Sequence, residues 1–313
     1  MREFIINKND ASLRVDVFLR KAVPRLPGSL AQKLIRKKDI KLNGKRCDGS
    51  DRLSEGDILR VYAPDKYFEE ISDTTAYKTV VPKLNIVYED KNILLVDKRP
   101  GMVVHKDETE CVNTLILHIQ AYLYSKGEWN PEEENAFVPA LCNRIDRNTG
   151  GIVIAAKNAE SLRIMNEKIR LRELRKLYFC LVHGVPDPPK GRIEGYIRRD
   201  IDGKKVYFYE KPVKDGRNAL TDYRVFETRG GISLVECELH TGRTHQIRVS
   251  MAYIGCPLVG DTKYGRTDGY RRQALYSYKL EFCFKSDSGI LDYLNGKSFQ
   301  IEDIDFLRDF RKI

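Results

Sequence analysis

The sequence predicts an α+β protein in two parts. A small α+β unit over residues 1–66 is followed by a linker over 67–84, and a larger unit over 85–313 is built on a mixed, largely antiparallel sheet with flanking helices. Three observations carry this reading. Short β-branched or aromatic runs recur between Gly and Asp breaks from 190 to 285, the spacing of an antiparallel or mixed sheet. Apolar residues at helical spacing are confined to a few stretches. Residues 1–66 carry more Lys and Arg than Asp and Glu, and they end where the chain turns polar and irregular between Pro64 and Pro82.

Leu13, Val17, Phe18 and Leu19 suit one face of a first helix, and Ser29 is placed to cap a second that holds Leu30, Leu34 and Ile35. Lys33, Arg36, Lys37 and Lys38 make that second helix basic, a pattern that suits phosphate contacts, although charge alone fits a solvated face better. Ile40 and Leu42 lead into Asn43-Gly44, a tight-turn pair between strands. Glu55-Gly56-Asp57 turns into a strand that reaches Val61. The larger unit opens with a buried strand over 93–96, a helix over 114–124 and an acidic surface loop over 128–135. A buried strand over 152–156 and a helix over 159–171 follow. Strands are expected over 177–182, 192–196, 205–209, 220–228 and 232–239, then a glycine-led turn into a helix within 242–253. A loop over 257–265, a last strand over 275–284 and a short helix or ordered extension after Ser286 complete the chain.

The chain's 313 residues and 42% hydrophobic content support a real core, and its formal charge of +10 points to a polyanionic partner. The seven cysteines are scattered without a C-x-x-C pair, so they suggest neither a disulfide framework nor a zinc site and suit reduced, cytoplasmic thiols. No apolar run is long enough to span a membrane and no signal core opens the chain. P-loop, G-x-G-x-x-G and H-E-x-x-H patterns are absent, so the sequence implies neither cofactor nor metal.

One stretch, Asn143-Arg144-Ile145-Asp146-Arg147-Asn148-Thr149-Gly150-Gly151, sets a carboxylate between two arginines just before a strand. Its glycines permit a tight turn or the close approach of another backbone. Arg144 and Arg147 can each donate to Asp146 and keep it ionised, and a structural salt bridge fits this loop as well as a catalytic site does. With Tyr178 and Arg248, Asp146 could serve a cofactor-free enzyme acting on a nucleoside in RNA. The carboxylate would act at the glycosidic centre, the ring would stack on an extruded base, and the guanidinium would hold the carboxylate or a phosphate. From spacing alone, core packing for Tyr178 and a surface ion pair for Arg248 are the better readings.

Two resemblances add to this. Arg14-Val15-Asp16-Val17-Phe18-Leu19, the stretch from Ser29 to Ile35, Ile40-Lys41-Leu42-Asn43-Gly44-Lys45 and Gly56-Asp57-Ile58 together resemble the small S-four RNA-binding domain, with Ser29-Leu30 where that family has Ser-Arg. Further along, six blocks occur in the order of the RluA-class pseudouridine synthases. They are Glu89-Asp90 with Lys98-Arg99-Pro100-Gly101 and His105; Arg144-Ile145-Asp146-Arg147 with Thr149 and Gly151; and Arg175-Lys176-Leu177-Tyr178. Ala219-Leu220-Thr221 with Tyr223, Gly242-Arg243-Thr244-His245-Gln246-Ile247-Arg248, and Gly260-Asp261 with Tyr264-Gly265 complete the set. Asn143 stands where that family has His, and Gly150 where it has Ser. The resemblance implies isomerisation of uridine to pseudouridine in RNA without a cofactor. It puts the catalytic aspartate at Asp146, the active-site tyrosine at Tyr178 and the aspartate-pairing arginine at Arg248. Arg144 would contact RNA or fill the space of the flipped base, and Arg147 and Arg243 would join Lys33, Arg36, Lys37 and Lys38 in binding RNA. The N-terminal module favours large-subunit ribosomal RNA over transfer RNA, and a monomer is the default expectation. A non-catalytic RNA-binding or ribosome-assembly factor is the reading from another class, and it would not need Asp146, Tyr178 and Arg248 together.

Overall fold

The apolar positions of the first 61 residues find their partners among themselves. In the computed structural model, which describes residues 1–69, 72–200, 202–203, 205–267 and 269–312, helices α1 (Val15–Ala22) and α2 (Gly28–Arg36) share a core with a four-stranded antiparallel sheet. Its strands β1 (Arg2–Ile5), β2 (Ile40–Leu42), β3 (Lys45–Arg46) and β4 (Ile58–Val61) lie in the order β1-β4-β2-β3. Phe4, Val15, Phe18, Leu19, Leu34, Ile35, Ile40 and Leu59 fill that core. Asn43 and Gly44 both take positive φ, 52° and 77°, to turn β2 into β3 as their sequence requires. Two expectations shift. Val15 rather than Val17 joins Phe18 and Leu19 as a buried position of α1. Ser29 does not cap α2, because Pro27 sets the helix entry and the helix begins at Gly28, leaving Ser29 inside the first turn.

This first compact unit gathers Met1–Pro82, Ile116–Ala140 and Ala156–Arg163. The segment expected to be an irregular linker buries Tyr77, whose ring meets Tyr124 and Trp129 edge-on at 5.0 and 5.1 Å. Tyr124 belongs to α3 (Leu115–Ser125). The stretch expected to be an acidic surface loop is pinned. Trp129 is buried, Asn7 donates to Glu134 at 3.0 Å, and Asn135 donates to the buried Asp10 at 2.6 Å. Asn9 accepts from the Ala159 backbone N–H at 3.0 Å.

The second unit gathers Lys83–Leu115, Leu141–Ala155 and Ile164–Ile313. Its sheet is built from β5 (Asn85–Glu89), β6 (Ile93–Lys98), β7 (Ala140–Leu141), β8 (Gly150–Ala156), β9 (Leu174–His183), β10 (Lys190–Arg199) and β11 (Val206–Tyr209). It continues with β12 (Arg217–Arg229), β13 (Ile232–Leu239), β14 (Leu275–Phe282) and β15 (Ser298–Gln300). The spatial order is β11-β10-β12-β13-β9-β14-β8-β6-β5, with β15 on β14 and β7 on β8. Of the pairings whose register is described, only β8–β14 is parallel. That seam joins the N-terminal half of the sheet to the antiparallel meander that follows it. Helix α4 (Ala159–Arg170) connects β8 to β9, α5 (Gln246–Tyr253) follows β13, and α6 (Asp305–Phe310) buries Phe310 beside Leu181, Val259 and Ala274. Every residue of α5 from Gln246 to Met251 is buried, so this helix is a core element rather than an amphipathic cover. Among the described residues no helix is long and apolar enough to cross a membrane.

Candidate active site

At the head of β8 the chain must pass very close to β14. Gly151 has φ +117°, and a Cβ there would lie 2.2 Å from the Ser277 carbonyl oxygen, so only glycine fits. A Cβ on Gly150 would lie 2.3 Å from the Tyr276 ring. Asn143 secures the other end of the loop, accepting from the Ile154 N–H at 2.8 Å. Between these anchors residues 144–149 form a short loop, and Asp146 projects from it with a quarter of its side chain exposed.

Lys98 fixes that loop from behind. It is 1% exposed, and its ammonium donates to three carbonyls, Arg99 at 3.2 Å, Met102 at 2.8 Å and Arg147 at 2.9 Å. Burial pushes its pKa down to about 7, with the nearby Asp146 and Asp97 opposing. Three acceptors match the three N–H donors of the charged form.

Arg248, on the buried helix α5, is the cation that meets Asp146. Its Nη1 lies 3.2 Å from Asp146 Oδ2, while Nε and Nη2 grip both oxygens of the fully buried Asp261 at 2.7 and 2.8 Å. The Asp261 fork aims the guanidinium, which then reaches Asp146 through its remaining nitrogen. The expectation that the flanking arginines hold Asp146 is corrected. Arg147 turns away to Asp107, at 2.8 Å from Oδ2, and Arg144 is exposed on the cavity wall. Near neighbours in sequence lose here because the loop backbone points them outward, whereas Arg248 comes from 102 residues away.

The turn before α5 is held by Gln246. Its amide donates to the Leu220 carbonyl at 3.0 Å and to Thr221 Oγ1 at 2.9 Å, and its Oε1 accepts from Thr241 and the Arg243 N–H. Arg243 Nε donates to the Asn218 carbonyl at 2.9 Å, and Arg172 and Arg217 are close enough to act on its charge. Tyr178, on β9, is buried 6% exposed, and burial raises its hydroxyl to about 12, so it stays protonated. These parts line one cavity of ≈ 270 Å³. Asp146, Arg144, Tyr178, Lys176, Arg243, His245 and Arg248 all contribute to it. The arrangement presents an oriented carboxylate, an aromatic wall and a basic rim, as expected for a polyanion whose reacting part is planar and neutral.

Of the predicted residues, Asp146, Tyr178, Arg248, Arg144 and Arg243 come together here, while Arg147 lines a separate, neighbouring cavity with Asp146 and Asp261. Lys33 and Arg36 are exposed on α2, whereas Lys37 and Lys38, expected on the same helix, are exposed in the turn that follows its end at Arg36, where Lys38 takes φ 66°. Sequence reasoning gave no role to Lys98, Asp261, His245 or Gln246. All four lie inside motif blocks, but their partners are set by tertiary contacts that no period marks.

A family model described as RNA pseudouridylate synthase matches residues 92–253, and one described as S4 domain matches residues 13–59. The chain is 32% identical over 278 residues to an uncharacterised RNA pseudouridine synthase of Bacillus subtilis, covering 88% of each chain. It is 32% identical over 290 residues to the ribosomal large subunit pseudouridine synthase D of Borreliella burgdorferi, covering 90% of this chain and 84% of that one. The human RNA pseudouridylate synthase domain containing 4 shares the fold, with a TM-score of 0.54 at 23% identity over 72% of this chain and 90% of its own.

Proposed function

Because this chain belongs to the RNA pseudouridylate synthases, enzymes that isomerise uridine within RNA, we propose that Asp146 is its catalytic carboxylate and that its target lies in large-subunit ribosomal RNA. The observation that carries the first part is the 3.2 Å contact of Arg248 with Asp146, in a cavity that Tyr178 also lines. A carboxylate so placed assists cleavage of the N-glycosidic bond, by attack on the sugar or by removing a proton from it. The uracil then turns within the cavity and its carbon five bonds to C1′ in place of N1, any bond from the carboxylate to the sugar breaking as it does so. Carbon five loses its hydrogen as a proton and N1 takes one up, so the reaction is an isomerisation. Tyr178 gives the base a face to rest on, and Arg248 orients Asp146 through its 3.2 Å contact with Oδ2. Arg144 and Arg243 at the rim and Arg147 beside it, with Lys33 and Arg36 on α2 and Lys37 and Lys38 in the turn after it, take RNA phosphates. Residues 1–66 act as the RNA-binding domain and 85–313 as the catalytic domain of a monomer working in the cytoplasm. Support for the ribosomal target is the likeness to a protein named for the large subunit and the basic N-terminal module.

The test maps pseudouridine by chemical adduct and primer extension in ribosomal and transfer RNA, from cells with and without the gene. Cells lacking the gene are complemented with wild type or Asp146→Asn. Expected is the loss of one or a few large-subunit sites, restored by the wild type and not by D146N, which still binds RNA. Loss confined to transfer RNA overturns the ribosomal target and leaves the chemistry. Restoration by D146N overturns the role of Asp146.

A further inference from the structure

His245 stands at the mouth of α5 in the left-handed conformation, φ 55° and ψ 22°, an uncommon one for a residue with a Cβ. That conformation brings its ring between two groups. Nδ1 lies 2.7 Å from the Tyr264 hydroxyl, and Nε2 lies 3.8 Å from Asp146 Oδ2. The Tyr264 oxygen already accepts from the backbone N–H of Val206 at 3.1 Å. Its own proton is therefore free to go to His245 Nδ1. An imidazole that accepts at Nδ1 carries its hydrogen on Nε2 when neutral. Neutral is the state the surroundings impose. Burial pushes the His245 pKa down to about 4; Arg248 and Lys263 act the same way, and Asp146 and Asp261 oppose them. Tyr264 cannot supply a charge instead, since burial raises its hydroxyl.

We propose that His245 is a positioning residue of the isomerisation, its tautomer set by Tyr264 so that an Nε2–H donor faces Oδ2 of Asp146. This rests on the reading of Asp146 as the catalytic carboxylate. At 3.8 Å the donor is too far for a hydrogen bond, and a small rotation of the carboxylate closes the gap. Arg248 approaches the same oxygen. Both donors thus converge on Oδ2, and Oδ1 is the oxygen turned to the nucleoside. Arg248 supplies the charged donor to that oxygen; the neutral imidazole adds a second direction without a second positive charge.

The test is steady-state kinetics on the transcript that carries the mapped uridine, with His245→Phe, His245→Gln, Tyr264→Phe and the double variant H245Q/Y264F. Phe keeps the ring volume and removes the donor, while Gln offers an amide N–H in much the same place. H245F is expected to lower kcat about tenfold or more with KM changed less than about twofold, and H245Q to recover kcat to within about threefold of wild type. Y264F keeps the ring that lies 5.1 Å from the Arg248 guanidinium and removes only the hydroxyl. It is expected to lower kcat about three- to tenfold in the wild-type background and to change little in the H245Q background. An unchanged kcat in H245F, an H245Q no better than H245F, or an equal effect of Y264F in both backgrounds each overturns the proposal. D146N in the same assay separates the two failures. An inactive D146N beside a fully active H245F removes only the role of His245, whereas an active D146N removes both.

Discussion

Arg248 serves two carboxylates, and their unequal burial decides what its loss would do. Asp261 is fully buried and takes two of its nitrogens, while Asp146 is a quarter exposed and takes one. Replacing Arg248 with Met leaves the buried Asp261 with two backbone N–H donors, from Lys263 and Tyr264, but without its counter-charge, which destabilises by about 3–5 kcal/mol. Urea unfolding reads that directly, and a variant as stable as wild type would show that Asp261 finds another partner. His245 makes a second prediction, of opposite sign to a salt-bridged histidine. Its folded value of about 4 lies below the ordinary 6.5, so as pH falls the unfolded chain takes the proton first. The stability it contributes is complete above 6.5 and is lost as pH falls through the interval down to about 4. Wild type should therefore lose Tm relative to H245Q between pH 7 and 4.5, by scanning calorimetry; a constant gap would mean that the imidazole is not held neutral. Little of this was legible in the residues alone. Asp146 stood out because a carboxylate between arginines before a strand is conspicuous, and the resemblance placed Arg248. The arginines beside Asp146 drew attention by proximity in sequence, which says nothing about where a loop aims its side chains.

At the scale of elements, the seam between β8 and β14 gives the sharpest expectation. Gly150→Ala meets the edge of the Tyr276 ring, a side chain rather than backbone, and should cost about 1–3 kcal/mol as the ring is displaced. Gly151→Ala meets the Ser277 backbone at a φ of +117° and should cost clearly more, because neither the ladder nor the residue's own backbone can give way. Equal unfolding midpoints for the two variants would mean that the seam is looser than its register. The strands themselves were readable because β-branched and aromatic runs between glycines favour a pleated surface. The structure places strands over all five stretches expected between 177 and 239, with β13 matching its range and β10 and β12 extending beyond theirs. What escaped was set by tertiary packing. Pro27 moved the start of α2, Trp129 drew an acidic stretch inward, and Tyr77 gave a polar segment an anchor. The departure at Gly150 becomes intelligible once Tyr276 is seen against it, since a serine there would need that ring to move.

For the whole molecule the charge of +10 sets the expectation for RNA affinity. Changing Lys33, Arg36, Lys37 and Lys38 to Gln should flatten the slope of log K against log salt. The change should be about 0.7–0.9 for each residue that meets a phosphate, with kcat at saturating RNA preserved. An unchanged slope, measured by filter binding across a salt series, would make this basic stretch of α2 and the turn after it a solvated surface. A different consequence follows from the way the first unit is assembled. The buried members of its apolar cluster have all been made at Val61, but Tyr77 then waits for Tyr124 and Trp129, and Asn9 waits for Ala159. Ribosomes deliver about 5–20 residues per second. The first unit can therefore close only after the chain has made its excursion through residues 141–155, which belong to the second. The loop of Asp146 is born tethered at both ends to a nearly finished neighbour, while β9 to β14, from Leu174 to Phe282, have yet to be translated.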